Sequence, residues 1–142
     1  MNTVKRLLEA KGHGVWSVHP DDTVLDAITI LAKKDIGAVL VMEGDNPVGI
    51  FTERDYARNV FLKGKSSPGT PVREVMAKPV IFARPENTID ECMSLMTRHR
   101  MRHLPVLDDG DLVGMVSIGD LVKSVIDEQK DTIEQLEHYI HG

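Results

Sequence analysis

Two stretches of this 142-residue sequence align with each other without a gap: VWSVHPDDTVLDAITILAKKDIGAVLVMEGDNPVGIFTERDY at positions 15–56 and VIFARPENTIDECMSLMTRHRMRHLPVLDDGDLVGMVSIGDL at positions 80–121. The alignment has an offset of 65 residues and brings identical residues into register: Val15 with Val80, Pro20 with Pro85, Thr23 with Thr88, Val41 with Val106, Val48 with Val113, Gly49 with Gly114 and Asp55 with Asp120. Chance does not keep Pro, Thr, Gly and Asp in one register over such a length. The chain is therefore a tandem duplication.

Each copy predicts the same order of elements, strand–helix–strand–strand–helix. The first element is a short apolar segment that stops near a proline, Val15–Val18 in one copy and Val80–Ala83 in the other. A helix then begins after a threonine that has an acidic residue three positions later, which is the pattern of a capping box. Two apolar strands follow around a turn, and a second helix begins at Thr52 or Ser117. We therefore expect an α+β fold made of two β-α-β-β-α repeats.

The repeats set the expected domain boundaries. We assign residues 1–64 to the first repeat with an N-terminal lead-in helix, 65–71 to a linker, 72–127 to the second repeat and 128–142 to a C-terminal helical extension. The linker is polar and rich in Ser, Gly and Pro. Because a copy of about 60 residues is small for independent stability, we expect the two copies to share one core.

The C-terminal segment predicts a long amphipathic helix. It has no Gly or Pro from Asp120 to His141, and a helix of this length extends over roughly 30 Å. Its apolar residues form one stripe: Ile118, Leu121, Val122, Val125, Ile126, Ile133, Leu136 and Ile140. The stripe packs either on its own domain or on a partner subunit. We favour the partner, and so expect a homodimer.

Composition excludes several classes of protein. The net charge of −5 argues against a general nucleic-acid coat, and no apolar run is long enough for a transmembrane helix. We expect neither a membrane nor a nucleic acid as partner. The N-terminus has no apolar signal-peptide core, and Cys92 is the only cysteine, so we expect a cytoplasmic protein.

The pattern Gly-x-x-Ser/Thr-x-x-Asp occurs at Gly49–Asp55 and again at Gly114–Asp120. A glycine in a strand permits another group to approach the backbone closely. The hydroxyl residue lies where a strand becomes a helix, and a helix N-terminus favours an anion. The aspartate one turn later accepts hydrogen bonds, so the pattern suits a ribose phosphate. The alternative is a pair of helix caps that bind nothing, which leaves a dimerisation or scaffold protein without a ligand.

The duplicated unit with this ending resembles a tandem cystathionine-β-synthase (CBS) domain pair, or Bateman module, over about Val4 to Ile126. The region from Thr52 to Met76 is similar to the inter-repeat region of small stand-alone bacterial members. The resemblance implies two repeats about a pseudo-two-fold axis, with clefts that hold adenosine-containing ligands such as AMP, ADP, ATP, NAD or S-adenosylmethionine. It implies a regulatory sensor for an unknown effector protein, without catalysis.

The resemblance also implies roles for individual residues. Ribose hydroxyls are expected on Asp55 and Asp120, and phosphate on Thr52 and Ser117. The remaining candidates are Gly49 and Gly114 of the motifs, Ser17, Val18, Phe82 and Ala83 for adenine, Met101 as a pocket wall, Arg102 and His103 for phosphate, Pro105 of the same strand, and Arg54 or Arg58 as a cation of the first copy. The first copy has no basic pair and no proline at the corresponding strand, so we expect unequal clefts. The alternative, a solvated helix end, is favoured for Arg98, His99 and Arg100, whereas the ligand role is favoured for Arg102 and His103.

The sequence gives little support for a catalytic or a metal-binding function. His99 and His103 are four residues apart, but no third ligand is evident, so we predict no metal site. Cys92 lies on the apolar face of a predicted helix and is expected to be a buried structural thiol. No nucleophile elbow or phosphate-binding loop is present, so the sequence predicts binding without turnover.

Overall fold

The computed structural model describes residues 2–141, where helices and strands follow the order that the duplication predicts. Helix α1 Val4–Lys11 comes first. The first repeat then contains β1 Ser17–Val18, α2 Val24–Lys34, β2 Ala38–Glu43, β3 Asn46–Thr52 and α3 Glu53–Asp55, which continues as a π-helical segment over Tyr56–Phe61. After a 3₁₀ turn at Val72–Glu74, the second repeat contains α4 Ile89–His99, β4 His103–Asp108, β5 Asp111–Ser117 and α5 Ile118–His141. The predicted α+β class is confirmed.

Both copies begin their first helix with a capping box, as predicted. Thr23 Oγ1 accepts a hydrogen bond from the N–H of Asp26 at 3.1 Å, and the Asp26 carboxylate accepts one from the Thr23 N–H at 3.1 Å. Thr88 and Glu91 repeat this exchange at 3.1 and 2.9 Å. Each box satisfies two backbone donors near the start of a helix.

The sheets of the two copies differ at their first strand. In the first copy β1 runs parallel to β2, and the N–H of Leu40 donates to Trp16 O at 3.1 Å. The residue that corresponds to Leu40 is Pro105, which has no N–H to donate. The strand predicted over Val80–Ala83 is accordingly reduced to a single bridge between Ala83 and Val106, so the second sheet has only β4 and β5 as full strands.

The lead-in segments, residues 4–8 and 72–76, each pack into the opposite repeat. Val4 and Leu8 of α1 are fully buried among residues of the second repeat. Val72 and Val75 are buried among residues of the first repeat. Most buried apolar residues thus form two clusters, one for each repeat, rather than the one shared core that the sequence predicts, and Ala38, Leu40 and Ile50 are buried outside both clusters. The exchange of lead-ins connects the repeats, since burying each such side chain contributes roughly 1.5–3 kcal/mol.

Helix α5 packs on its own repeat only over its first two turns. Leu121 is fully buried and Val125 is partly buried, whereas every residue from Ile126 to Ile140 is exposed. Its own domain therefore does not cover the distal part of the apolar stripe. Within residues 2–141, no helix combines the length and apolarity that crossing a membrane requires.

Candidate functional site

The motif of the second copy lies at the N-terminus of α5. The N–H of Asp120 donates to Ser117 Oγ at 3.1 Å, and Asp120 Oδ2 accepts from the N–H of Ser117 at 2.8 Å. Lys11, in the last turn of α1, places its Nζ 2.6 Å from Asp120 Oδ2 and 2.8 Å from Met115 O. Two distant parts of the chain thus meet at this aspartate.

The charge of Asp120 is set by opposing effects. Burial raises its pKa, but the hydrogen bond and charge of Lys11 together with the hydrogen bonds of Ser117 outweigh burial, so the pKa of Asp120 is lowered. The carboxylate is therefore ionised at neutral pH and acts as a hydrogen-bond acceptor. Sequence reasoning missed Lys11. It lies outside both motifs, and only the packing of α1 on the second repeat brings it to Asp120.

His103 lies beside this ion pair, at the contact between the two repeats. A Cβ placed on Gly37 of the first repeat would be 2.9 Å from His103 Nε2. Burial is the main reason that the pKa of His103 is lowered; Lys11 also lowers it, while Glu53 and Asp120 act in the opposite direction. A neutral imidazole and an ammonium group thus lie close to the carboxylate of Asp120.

The motif of the first copy has the same backbone geometry with a different charge environment. Asp55 Oδ2 accepts from the N–H and from Oγ1 of Thr52, both at 3.0 Å, and the Asp55 N–H donates to Thr52 Oγ1 at 3.1 Å. The ion pairs seen within residues 2–141 include none to Asp55. Burial raises the pKa of Asp55 more than the hydrogen bonds of Thr52 and the charge of Arg54 lower it. The two motifs are electrostatically unequal.

The motif glycines face the lead-in segments. A Cβ on Gly114 would be 2.7 Å from Leu8 Cδ2, and a Cβ on Gly49 would be 2.8 Å from Met76 Cγ. Both glycines are buried. The close approach that the sequence predicts at these positions is therefore made by side chains of the chain itself.

The residues of the predicted adenine-contacting segments differ in exposure. Val18 and Ala83 are buried, whereas Ser17 is exposed and Phe82 is 40% exposed. Phe82 lines a cavity of about 340 Å³ together with residues of the β4–β5 turn, and neither motif aspartate lines it.

The remaining candidates lie around the start of β4 and α3. Met101 packs against the second-repeat core, and Pro105 is buried in β4. Arg102 is exposed, and its carbonyl accepts the N–H of Ile118 at 2.8 Å. Arg54 is exposed and donates to Arg100 O at 3.4 Å, so it contacts the second repeat rather than Asp55.

Cys92 is fully buried in α4, which confirms the predicted structural thiol. Burial, with a smaller contribution from the charge of Glu91, raises the pKa of its thiol to about 11. Across residues 2–141, no group of three or more His, Cys, Asp or Glu side chains is arranged to hold a metal ion.

The sequence matches the family model of the CBS domain twice, over residues 12–61 and 72–127. The chain belongs to the CBS domain family. This CBS pair is 39% identical over 138 residues to the mitochondrial CBS domain-containing protein CBSX3 of Arabidopsis thaliana, which covers 94% of the chain and 66% of that relative. The chain thus spans slightly less than two thirds of this relative's length.

Solved structures show the same fold. A protein with CBS domains from Burkholderia ambifaria is 53% identical, with a TM-score of 0.87 over 90% of this chain and 96% of that one. A CBS domain protein from Pyrobaculum aerophilum, solved in complex with AMP, is 25% identical, with a TM-score of 0.75 over 84% of this chain and 89% of that one. The predicted family and the paired-repeat fold are confirmed.

Proposed function

We propose that this CBS pair is a regulatory module that binds an adenosine phosphate and does not turn it over. The observation that carries the proposal is the cap at the start of α5, where the Ser117 hydroxyl, the ionised carboxylate of Asp120 and the ammonium of Lys11 lie together. The AMP complex of the Pyrobaculum relative supports an adenosine-type ligand.

The chemistry of the cap suits a ribose phosphate. An ionised carboxylate accepts hydrogen bonds from both ribose hydroxyls. The helix N-terminus and the ammonium of Lys11 favour the phosphate. AMP, ADP, ATP and NAD all contain this adenosine phosphate, and S-adenosylmethionine contains the adenosine without it. Arg102 and His103 remain predictions for further phosphate contacts.

The proposed regulation depends on the packing of each lead-in segment against the opposite repeat. A ligand at the start of α5 contacts a helix whose distal part is exposed, beside a lysine from α1. Such a ligand shifts the geometry of α1 or α5 only if it binds one arrangement more tightly than the other. The effector protein that reads this shift, and the cytoplasmic location, stay predictions.

Thermal unfolding in the presence of AMP, ADP, ATP, NAD and S-adenosylmethionine tests the proposal. A ligand at 100 times its Kd adds about 2.7 kcal/mol to the free energy of unfolding. We expect Asp120→Asn to reduce this gain. The matched control is Asp127→Asn, an exposed acid of the same helix outside the motif. The absence of stabilisation by all five compounds at millimolar concentration would contradict the proposal.

We also propose that the chain is a homodimer through α5. The residues Ile126, Gln129, Ile133, Leu136 and Ile140 follow alternating spacings of three and four, the pattern of a coiled-coil seam. In an antiparallel pair, Ile126 faces Leu136 of the second copy. Lys123 then lies near Glu137 of the second copy, whereas a parallel pair brings no opposite charges together. The same alignment brings Lys130 near Lys130 of the second copy, but this one like-charge contact is outnumbered by the two symmetric contacts between Lys123 and Glu137, so the charge pattern favours the antiparallel arrangement.

Dimerisation without any ligand is the second candidate function. The observation that favours it is the exposed distal stripe, where Ile133, Leu136 and Ile140 are 55%, 57% and 72% exposed. A helix face of this kind is normally covered. The thermal unfolding test separates the candidates, because a pure scaffold shows no stabilisation by adenine compounds.

A further inference from the structure

The ammonium group at Asp120 comes from a rigidly held helix. Val4 and Leu8 of α1 are buried at 0% and 1% exposure, so the helix position is fixed on the second repeat. The side chain of Lys11 at its end is 40% exposed and has solvent on one side. The lysine therefore has a fixed backbone and a head group with room to move.

Lys11 occupies one of the two carboxylate oxygens on which a ribose places its hydroxyls. Asp120 Oδ2 already accepts from Lys11 Nζ and from the N–H of Ser117. When a ribose places one hydroxyl on each carboxylate oxygen, the hydroxyl at Oδ2 meets lone pairs that Lys11 and Ser117 already use, and it displaces the ammonium group. A neutral nucleoside offers Lys11 no anion in exchange, whereas a nucleotide offers its phosphate. The exchange of one ion pair for another preserves a charge-assisted hydrogen bond.

The first copy lacks a corresponding cation. The lead-in segments align with an offset of 68 residues, so the position that corresponds to Lys11 is Pro79. Among residues 2–141, the side chain of Asp55 accepts hydrogen bonds from Thr52, and its pKa is shifted in the opposite direction from that of Asp120. Within residues 2–141, only the motif of the second copy therefore pairs its carboxylate with an ammonium group.

We propose that Lys11 is the specificity-determining residue of the Asp120 site, which selects ligands with a phosphate. It moves from the Asp120 carboxylate to the phosphate as the ribose hydroxyls take its place. This inference rests on the proposed function and adds the group that distinguishes a nucleotide from a nucleoside. One charge-assisted hydrogen bond corresponds to roughly tenfold or more in affinity.

Calorimetric titration with adenosine and with AMP tests the inference. Lys11→Met retains much of the side-chain stem and removes the charge, and Lys11→Gln serves as a second substitution if the first variant does not fold. Lys5→Met, at an exposed position of the same helix, is the matched control. We expect the wild type and Lys5→Met to bind AMP roughly tenfold or more tightly than adenosine. In Lys11→Met the two affinities should become nearly equal, and Lys11→Arg should retain the preference.

The outcomes separate the two proposals. If Lys11→Met keeps the wild-type ratio of AMP to adenosine affinity, Lys11 does not select the phosphate. If the wild type binds both compounds equally well, the inference about Lys11 fails while the proposed function stands. If the wild type binds neither, the proposed function fails and the inference fails with it.

Discussion

The side chain of Leu8, in the first helix, closes over the backbone of Gly114 in the second repeat, where a Cβ would lie 2.7 Å from Leu8 Cδ2. Met76 and Gly49 form the equivalent contact on the first repeat. A motif glycine and a lead-in side chain thus fit together in both copies. The contact places α1, and therefore Lys11, on the second repeat.

Gly114→Ala is expected to destabilise the protein by about 1–3 kcal/mol, because the added methyl group overlaps a buried Leu8. Leu8→Ala alone should cost about 2–5 kcal/mol through the cavity that it leaves. In the double variant the new methyl group has space, so the loss should be smaller than the sum of the single losses. Urea denaturation of the four proteins measures this coupling, and additive losses would show that the contact is not the reason for glycine at position 114.

Asp55 and Asp120 should contribute to the free energy of unfolding over different pH ranges. The pKa of Asp120 is lowered in the folded protein, so its contribution to stability is present above the usual pKa of an aspartate and is lost as the pH falls through the folded value. Asp120→Asn should therefore lose about 1 kcal/mol at pH 7, and this difference should shrink in acid.

The pKa of Asp55 is raised, so its ionised form is disfavoured in the folded protein. Its favourable contribution is present below the usual aspartate pKa and is lost as the pH rises through the folded value. Asp55→Asn should consequently cost less stability at pH 7 than Asp120→Asn. Equal losses in the two variants, measured by denaturation between pH 3 and pH 8, would contradict the assigned charge environments.

The order of elements could be predicted from the sequence because local signals determine it. The capping boxes at Thr23 and Thr88 and the repeated motif endings depend on residues only three positions apart. The packing of each lead-in segment against the opposite repeat could not be predicted, since it depends on contacts between segments that are distant in the sequence. Lys11 was missed for the same reason, because 109 residues separate it from Asp120.

The first strand of the second copy was predicted incorrectly for a different physical reason. The apolar residues of Val80–Ala83 predict a strand as strongly as those of Val15–Val18 in the first copy. Pairing also requires donors from the neighbouring strand, and Pro105 removes one of them. The missing N–H of Pro105 therefore limits this strand to a single bridge, which the apolar pattern of Val80–Ala83 does not predict.

Cys92 should be nearly inert to thiol reagents in the folded protein. A pKa of about 11 leaves very little thiolate at pH 8, and the side chain is fully buried. Labelling by a chromogenic disulfide should be slower than in urea-unfolded protein by roughly hundredfold or more. Equally fast labelling of the folded and unfolded protein would contradict the burial of this thiol.

The dimer proposed for α5 depends on its apolar seam. Ile133→Asp should convert the dimer to a monomer of 15.8 kDa, because it places a charge in the seam. Gln135→Asp adds the same charge on the outer face of the helix and should leave the dimer intact. Sedimentation equilibrium distinguishes the two masses. A wild type that is monomeric, or an Ile133→Asp variant that stays dimeric, would contradict the proposed interface.

Exchanging the charges of Lys123 and Glu137 tests the orientation of the two helices in the dimer. Lys123→Glu should weaken an antiparallel dimer a few-fold by facing Glu137 of the second copy. The double variant Lys123→Glu with Glu137→Lys should restore the wild-type dissociation constant. In a parallel pair these residues do not meet, so no restoration would be seen.

A crystal structure of the wild-type protein with AMP shows whether an adenosine phosphate binds at the start of α5 through Asp120 and Lys11. We expect the ribose hydroxyls to lie on the Asp120 carboxylate and Lys11 Nζ to contact the phosphate, with the 2.6 Å contact between Lys11 and Asp120 broken. AMP bound elsewhere, with Lys11 still paired to Asp120, would contradict it.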